Sequence, residues 1–257
     1  MRRIVIIGTA LAALGLAVSA YAAANNTYKA TDTFSSSKAG TAKAPVALSF
    51  TLKLGVTGPP GSRAIPLSNI KNTFYGMVSN GKYFPTCSLK KIANAKNDNK
   101  CPKGARVATG GLTAQLGPAM NLAATAPGVH PCARIIHVWN AGQGKLVFFF
   151  VGNPSTCDGL GTGTVGPFPA TLKVQSGTLV LNVPLPSSVS FPLGKGLLAG
   201  SLESENLTYS KLTTKVNGKT VGYFESVGCK GGKRAYSTSY TANGVTGTVP
   251  GTANCKK

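Results

Sequence analysis

Two carboxylates close together in this 257-residue chain, Glu203 and Glu205, are the best candidates for acid–base chemistry. If residues 201–209 are extended, side chains two positions apart project from the same strand face. Hydrolysis of a glycosidic bond uses two carboxyl groups about 5 to 9.5 Å apart. The pair therefore suggests a polysaccharide hydrolase or lyase. A solvated acidic face that balances nearby lysines is the favoured alternative, because no third acid and no dense row of aromatic residues accompanies the pair.

The two histidines, His130 and His137, do not predict a metal site. Seven residues apart, they would lie on opposite faces of a continuous strand, and Pro131 interrupts that strand. We interpret His137, which alternates with Ile135 and Trp139, as a packed or hydrogen-bonded side chain and not as a general base. No metal is expected.

Two short motifs match known patterns but lack the context that those patterns need. Residues 161–166 match G-x-G-x-x-G, yet Pro167 and Pro169 follow where dinucleotide binding requires a helix. Ser88 and Lys91 match the S-x-x-K of penicillin-recognising serine enzymes, whose S-D-N and K-T-G elements are missing here. We therefore expect no cofactor and favour a protein without enzymatic activity.

The amino terminus has the pattern of a cleavable signal peptide. Arg2 and Arg3 precede an apolar run over residues 4–18, and small residues follow. Cleavage is predicted after Ala22, with Ala24 as the alternative. An uncleaved anchor is disfavoured because the run is shorter than the roughly 20 apolar residues of a membrane span. The mature protein is expected outside the cell or at the surface of the cell envelope.

An even number of cysteines in a secreted chain predicts disulfide bonds. The six fall into three sequential pairs, and we favour bonds within each pair: Cys87 with Cys101, Cys132 with Cys157, and Cys229 with Cys255. A structural zinc is disfavoured because no C-x-x-C spacing occurs.

The mature chain is strongly basic. Removing Arg2 and Arg3 with the leader leaves 25 of the 27 basic residues against six acidic ones, a net charge of about +19. Such a charge attracts polyanions, although lysines could equally keep a β-sheet surface in solution. The densest stretch is opposed only by Asp98 and consists of Lys82, Lys90, Lys91, Lys96, Lys100, Lys103 and Arg106. Lysine dominates over arginine, so specific nucleic-acid binding is not expected.

The hydrophobic pattern predicts an all-β domain. Apolar residues alternate with small or polar ones over residues 46–54, as in a half-buried strand. Asn217-Gly218 and Asn243-Gly244 each separate two segments of strand composition, as in tight hairpins. Residues 146–151 are apolar on both faces, which indicates a central strand covered on both sides. Residues 89–93, after Ser88, are the one helical candidate.

About ten such strands, separated by turns, predict a two-sheet β-sandwich of mostly antiparallel strands with one short helix. The predicted organisation is a signal peptide over residues 1–22, a flexible or extended segment over residues 23–45, and a single disulfide-stapled domain over residues 46–257.

Residues 84–87 are F-P-T-C, residues 101–110 are C-P-K-G-A-R-V-A-T-G, and Cys229 and Cys255 enclose a predicted strand hairpin. This combination resembles uncharacterised secreted β-rich proteins of soil actinobacteria, in which F-P-T-C, C-P-x-x-[SA]-x-[VI]-x-T-G and a carboxy-terminal cysteine hairpin recur. The resemblance covers the chain from about residue 46 onward. Its motifs are structural, so it implies no particular activity.

The preferred hypothesis is a secreted or envelope-associated protein that contacts anionic wall polymers or polysaccharides through its lysine-rich surface. A secreted polysaccharide hydrolase or lyase that uses Glu203 and Glu205 is the main alternative. A secreted inhibitor or toxin-like module is a third hypothesis, supported weakly by the disulfides.

Overall fold

The computed structural model describes residues 26–118, 122–152, 157, 165–194 and 198–256. The predicted signal peptide and most of the glycine loop at residues 161–166 lie outside these residues. The described strands are β1 Thr27–Phe34, β2 Val46–Ala47, β3 Phe50–Thr57, β4 Leu67–Tyr75, β5 Met77–Ser79, β6 Arg106–Gly117, β7 His130–Asn140, β8 Lys145–Gly152, β9 Val165–Gln175, β10 Thr178–Pro184, β11 Ala199–Tyr209, β12 Thr213–Val216, β13 Lys219–Gly222, β14 Phe224–Ser226, β15 Lys233–Ala242 and β16 Val245–Asn254. Two short helices, α1 Leu89–Ala95 and α2 Ser187–Ser190, and a 3-10 turn, Gly81–Tyr83, complete the described elements.

Eleven strands form one antiparallel sheet in the order β1-β3-β11-β6-β7-β8-β9-β10-β4-β15-β16. The edge strands β1 and β16 pack against each other, so the sheet curls almost into a barrel. Tyr28 stacks on Tyr240 with 4.5 Å between ring centroids, and the Tyr240 hydroxyl donates to the Lys29 carbonyl oxygen at 2.7 Å. These side-chain contacts join β1 to β15, next to the β16 edge.

The all-β prediction is confirmed, but the strand arrangement differs from the predicted two-sheet sandwich. A single curved sheet holds eleven strands, and the two small additional sheets are β2-β14-β5 and β12-β13. The helix predicted after Ser88 is α1, and α2 is a second helix. A sheet of this length buries its inner face by curling on itself, because right-handed strand twist accumulates across it.

The segment predicted as flexible or extended contains the first strand of the main sheet. Residues 27–34, within the segment predicted as flexible or extended, form β1, which pairs with β3 along its whole length. Tyr28 and Phe34 supply the inward aromatic groups of this strand and pack against the main core. Strand β1 therefore forms one edge of the main sheet.

Strand β8 is covered on both faces, as its apolar sequence predicts. Phe148 and Phe150 belong to the main core inside the curled sheet. Val147 and Phe149 face outward, where they pack with Ile92 of α1. The hairpins predicted at Asn217-Gly218 and Asn243-Gly244 are also present, as β12–β13 and β15–β16.

Two of the predicted disulfide bonds are formed. Cys87 is bonded to Cys101, and Cys132 to Cys157. The third predicted bond is absent: Cys229 is a half-buried free thiol and Cys255 a buried one. The Cys229 thiol donates instead to the Cys255 carbonyl oxygen, with an S···O distance of 3.1 Å.

Candidate anion-binding surface and groove

The basic stretch predicted from the sequence is a loop anchored on the outer face of the sheet. We call residues 82–106 the basic loop; it carries α1 and is closed by the Cys87–Cys101 bond. Ser88 caps α1, because its Oγ accepts a hydrogen bond from the Lys91 backbone N–H at 3.2 Å. The cap gives Ser88 a structural role at the start of α1.

All seven predicted cations of the basic loop are exposed: Lys82, Lys90, Lys91, Lys96, Lys100, Lys103 and Arg106. The loop's single carboxylate, Asp98, is 8 % exposed and faces the sheet. Its Oδ2 accepts a hydrogen bond from Trp139 Nε1 at 3.0 Å and lies 2.6 Å from His137 Nδ1. Asp98 therefore anchors the loop and leaves its outer surface uniformly positive.

Lysines and carboxylates are segregated throughout the described part of the chain. Every described lysine is exposed, whereas none of the described carboxylates is. Asp32, Asp98 and Glu225 are buried, and Glu203 and Glu205 are half-buried. Because the acidic groups are withdrawn from the outer surface, few negative charges there offset the lysines.

Three of the four described arginines are buried. Arg63 donates to the carbonyl oxygens of Gln115 and Ala199 at 3.1 and 3.0 Å. Arg234 lies over the Phe34 ring, with 4.9 Å from its Cζ to the ring centroid. Arg106 is the exposed one. The surface charge is therefore carried almost entirely by lysine, which binds anions as a hydrated point charge and selects little by geometry.

An open groove of about 540 Å³ crosses the outer face of β11, β6 and β7, beside the basic loop. The uncharged polar part of its lining consists of Thr109, Thr113, Ser204, Asn206 and Thr208, and the apolar part of Leu112, Ala133 and Ile135, the last 48 % exposed. In register, Asn206 lies opposite Gly111, and Gly111 opposite Ile135, so a glycine without a side chain occupies the middle of the groove. The groove has the size of a ligand site.

One end of the groove meets the anchored part of the basic loop. Thr109 lies directly opposite His137 in the β6–β7 register. Arg106 Nη1 lies 3.5 Å from His137 Nε2, and the Arg106 guanidinium carbon lies 5.9 Å from the Trp139 ring centroid. Asp98 and Trp139 thus hold a histidine and an exposed arginine next to the groove.

The predicted acid pair is not brought together. The β11–β6 register shifts between Leu202 and Ser204, so Glu203 lies at a β-bulge. Glu203 accepts a hydrogen bond from Gln115 Nε2 at 3.0 Å, whereas Glu205 points into the curled sheet. An extra residue breaks the two-residue alternation of a strand, so the two carboxylates do not share a face.

The interior around Glu205 cannot hold a sugar. Glu205 and Tyr209 line a cavity of only about 20 Å³, which has room for about one water molecule. Burial raises the pKa of Glu205 to about 7, and it also raises the pKa of Tyr209, with Glu205 adding to that rise. This geometry contradicts the use of Glu203 and Glu205 as a hydrolytic pair.

Asp32 is a second interior carboxylate and was not among the candidate residues predicted from the sequence. It is 4 % exposed, neither of its carboxylate oxygens has a hydrogen-bond partner in the structure, and burial raises its pKa to about 7. Its position in β1, alternating with Tyr28 and Phe34, is the sequence signal that places it on the inward face. The groove residues carried no comparable signal, because they come from strands far apart in the sequence.

Metal ligation finds no support among the described residues. No group of three or more His, Cys, Asp or Glu side chains is placed to hold an ion there. His130 and His137 lie at different ends of β7, opposite Leu116 and Thr109 respectively. Neither helix within the described ranges has the length and apolarity to traverse a bilayer.

Comparison of the chain with protein-family models, with curated proteins and with solved structures finds no match. The resemblance to secreted actinobacterial proteins stays a prediction.

Proposed function

We propose that this protein is exported and binds anionic polymers of the cell wall, with the basic loop as its principal contact. The observation that carries the proposal is the segregation of charge: described lysines are exposed and described carboxylates are not. The signal-peptide pattern and the two disulfide bonds support export, since disulfides persist in oxidising compartments.

The basic loop is favoured over the rest of the surface for two reasons. It concentrates seven exposed cations within 25 residues of sequence, counted from Lys82 to Arg106. Its disulfide and the Asp98 contacts also hold these cations on a fixed base, so binding orders less of the chain than a flexible tail would. The next densest group has five exposed lysines over residues 211–233: Lys211, Lys215, Lys219, Lys230 and Lys233.

Co-sedimentation of the oxidised mature protein with isolated cell walls, over a salt titration, tests the proposal. We expect binding at low ionic strength that weakens steeply as salt is added, because exposed charges are screened. A triple variant, Lys90→Gln, Lys91→Gln and Lys96→Gln, should bind less than a control with the same change in net charge, Lys71→Gln, Lys215→Gln and Lys219→Gln.

Two outcomes would contradict the proposal in different ways. If the protein ignores cell walls even at low salt, binding of anionic wall polymers is wrong. If the two triple variants lose binding equally, the polymer is attracted by net charge alone and the basic loop is not the principal contact.

A further inference from the structure

We propose that the groove across β11, β6 and β7 binds hydroxyl-bearing repeat units of the anionic polymer, of the polyol-phosphate class, in an extended conformation. This inference rests on the proposed function and names the ligand that the groove selects. The basic loop would supply charge attraction, and the groove would supply chemical selectivity.

The floor of the groove is open although the fold does not require it to be. At Gly110, an added Cβ would lie 2.0 Å from the Asn206 carbonyl oxygen, so close packing of β6 and β11 explains that glycine. At Gly111, the nearest atom to an added Cβ is the Arg134 carbonyl oxygen at 3.4 Å, an ordinary contact. Strand interiors disfavour glycine, so Gly111 costs stability and leaves room above the sheet.

The polar part of the lining suits the hydroxyl groups of a ligand, and the apolar part, which includes Ile135, suits the carbon backbone of a polyol. Thr113 Oγ1 and Ser204 Oγ lie 2.8 Å apart, and Thr51 Oγ1 and Thr208 Oγ1 lie 2.9 Å apart. One hydroxyl donates in each pair, so each pair keeps one further O–H and several lone pairs for a ligand. The exposed Asn206 amide adds both a donor and an acceptor.

The same lining disfavours ligands that bind by stacking. None of the residues that line the groove is aromatic. Proteins bind the bases of single-stranded nucleic acids, and the flat faces of sugars, mainly by stacking them on aromatic side chains. A flexible chain of polyol units needs hydrogen bonds and no stacking platform.

Cations flank the groove on two sides, which points to an anionic chain. Lys53 of β3 is exposed and lies opposite Asn206 in the β11–β3 register. Arg106 lies beside His137, next to Thr109 on the other side. Phosphate groups on either side of a bound polyol unit would meet these cations, and hydrogen bonds to charged groups are stronger than neutral ones.

The test compares two soluble polymers of matched charge, glycerol-phosphate polymer and inorganic polyphosphate, by calorimetry at low and at high salt. The wild-type protein should prefer the glycerol-phosphate polymer, and the preference should persist at high salt. Gly111→Val fills the groove without changing charge and should weaken glycerol-phosphate binding about tenfold, the equivalent of one or two lost hydrogen bonds. Its binding of polyphosphate should not change.

The controls separate this inference from the proposed function. Valine suits a strand, so the melting temperature of Gly111→Val should not fall; if it does, Thr113→Val, which removes a hydroxyl and keeps the shape, replaces it. One of these two groove variants keeps its melting temperature, and its binding is compared with that of the wild type. If both bind the glycerol-phosphate polymer equally, the groove assignment is wrong and the proposed function still stands. Absence of binding to both polymers at low salt would overturn both.

Anionic lipid vesicles test whether the protein binds a membrane surface instead of a polymer. Tyr83 and Leu89 are exposed beside lysines of the basic loop and could favour a membrane surface. Tighter binding to phosphatidylglycerol vesicles than to the glycerol-phosphate polymer, unaffected by Gly111→Val, would contradict a polymer groove.

Discussion

The two faces of strand β11 differ in chemistry although their residues alternate along one segment. Outward, Ser204, Asn206 and Thr208 offer neutral hydrogen-bonding groups to a groove flanked by cations. Inward, Glu205 and Tyr209 hold an ionisable carboxyl and a phenol in a nearly dry cavity. The outer face can therefore bind a charged polymer, whereas the inner face makes stability depend on pH.

The difference between the faces extends to the whole described chain. Lysines occupy the outside and carboxylates are withdrawn, with Asp32 and Glu205 inside the curled sheet. An ionised carboxylate inside a protein costs free energy unless it is paired. The arrangement thus leaves the surface positive at the expense of stability at neutral pH.

The largest expected effect is on the inner face. Between about pH 4 and 7 an unfolded chain releases the Asp32 proton while the folded chain keeps it, so stability falls as pH rises through this range. Asp32→Asn removes this penalty and should raise the free energy of unfolding at pH 8 by up to about 4 kcal/mol. The gain should vanish near pH 4. Urea unfolding at both pH values measures it.

Glu203→Gln is the matched control for Asp32→Asn. Glu203 lies at the bulge and is hydrogen bonded to Gln115, so its neutralisation should bring no comparable gain at pH 8. If the two variants stabilise the protein equally, the change in net charge, and not the burial of Asp32, sets the pH dependence of stability.

The next largest effect concerns the anchoring of the outer layer. Replacing both Cys87 and Cys101 by alanine should lower the free energy of unfolding by about 3 kcal/mol, since the bond closes a short loop. Binding to cell walls should weaken as well, because the basic loop loses its clamp. Thermal unfolding and co-sedimentation measure the two effects; wall binding that is unchanged would show that the loop needs no fixed base.

A smaller effect distinguishes two adjacent glycines on the two faces of β6. Gly110→Ala should destabilise the fold by about 1 to 3 kcal/mol, because its Cβ would meet the Asn206 carbonyl oxygen at 2.0 Å. Gly111→Ala should be neutral or stabilising by about 0.5 kcal/mol, since glycine weakens a strand. Thermal unfolding of the two variants measures the difference. Similar losses of stability would show that close packing also requires glycine at position 111.

The smallest effect is on thiol reactivity. Burial, with a hydrogen bond from the Cys255 thiol to the Cys229 sulfur, raises the pKa of Cys255 to about 11, so little thiolate forms at pH 8. Native alkylation should modify the half-buried Cys229 first, and peptide mapping without reduction should find two disulfides and two thiols. Recovery of a Cys229–Cys255 bond instead would support the pairing predicted from sequence.

Much of the local structure could be predicted from sequence because it depends on neighbouring residues. The Asn217-Gly218 and Asn243-Gly244 hairpins follow from backbone angles that few residues other than glycine and asparagine adopt readily. The covered strand at residues 146–151 follows from its apolar character on both faces. The Cys87–Cys101 and Cys132–Cys157 bonds agree with pairing of sequential cysteines over short loops. Spacing does not decide the bond by itself, because Cys229 and Cys255, 26 positions apart, are free thiols.

The candidate site could be predicted only in part. The cations of the basic loop are contiguous in sequence, so their clustering was evident, and the structure places them all on the surface. The prediction that Glu203 and Glu205 share a strand face was wrong, because one bulge residue between Leu202 and Ser204 changes which side chains face inward. The groove was missed because its hydroxyl pairs join residues such as Thr113 and Ser204, 91 positions apart.

By itself, the sequence determined the all-β character, the strong positive charge and the hairpins, since these depend on composition and short-range spacing. Only the tertiary structure decided that the sheet curls on itself, that carboxylates lie inside and lysines outside, and that a polar groove adjoins the basic loop. The physical reason is that long-range strand register assigns each side chain to a face, and a single bulge shifts that register.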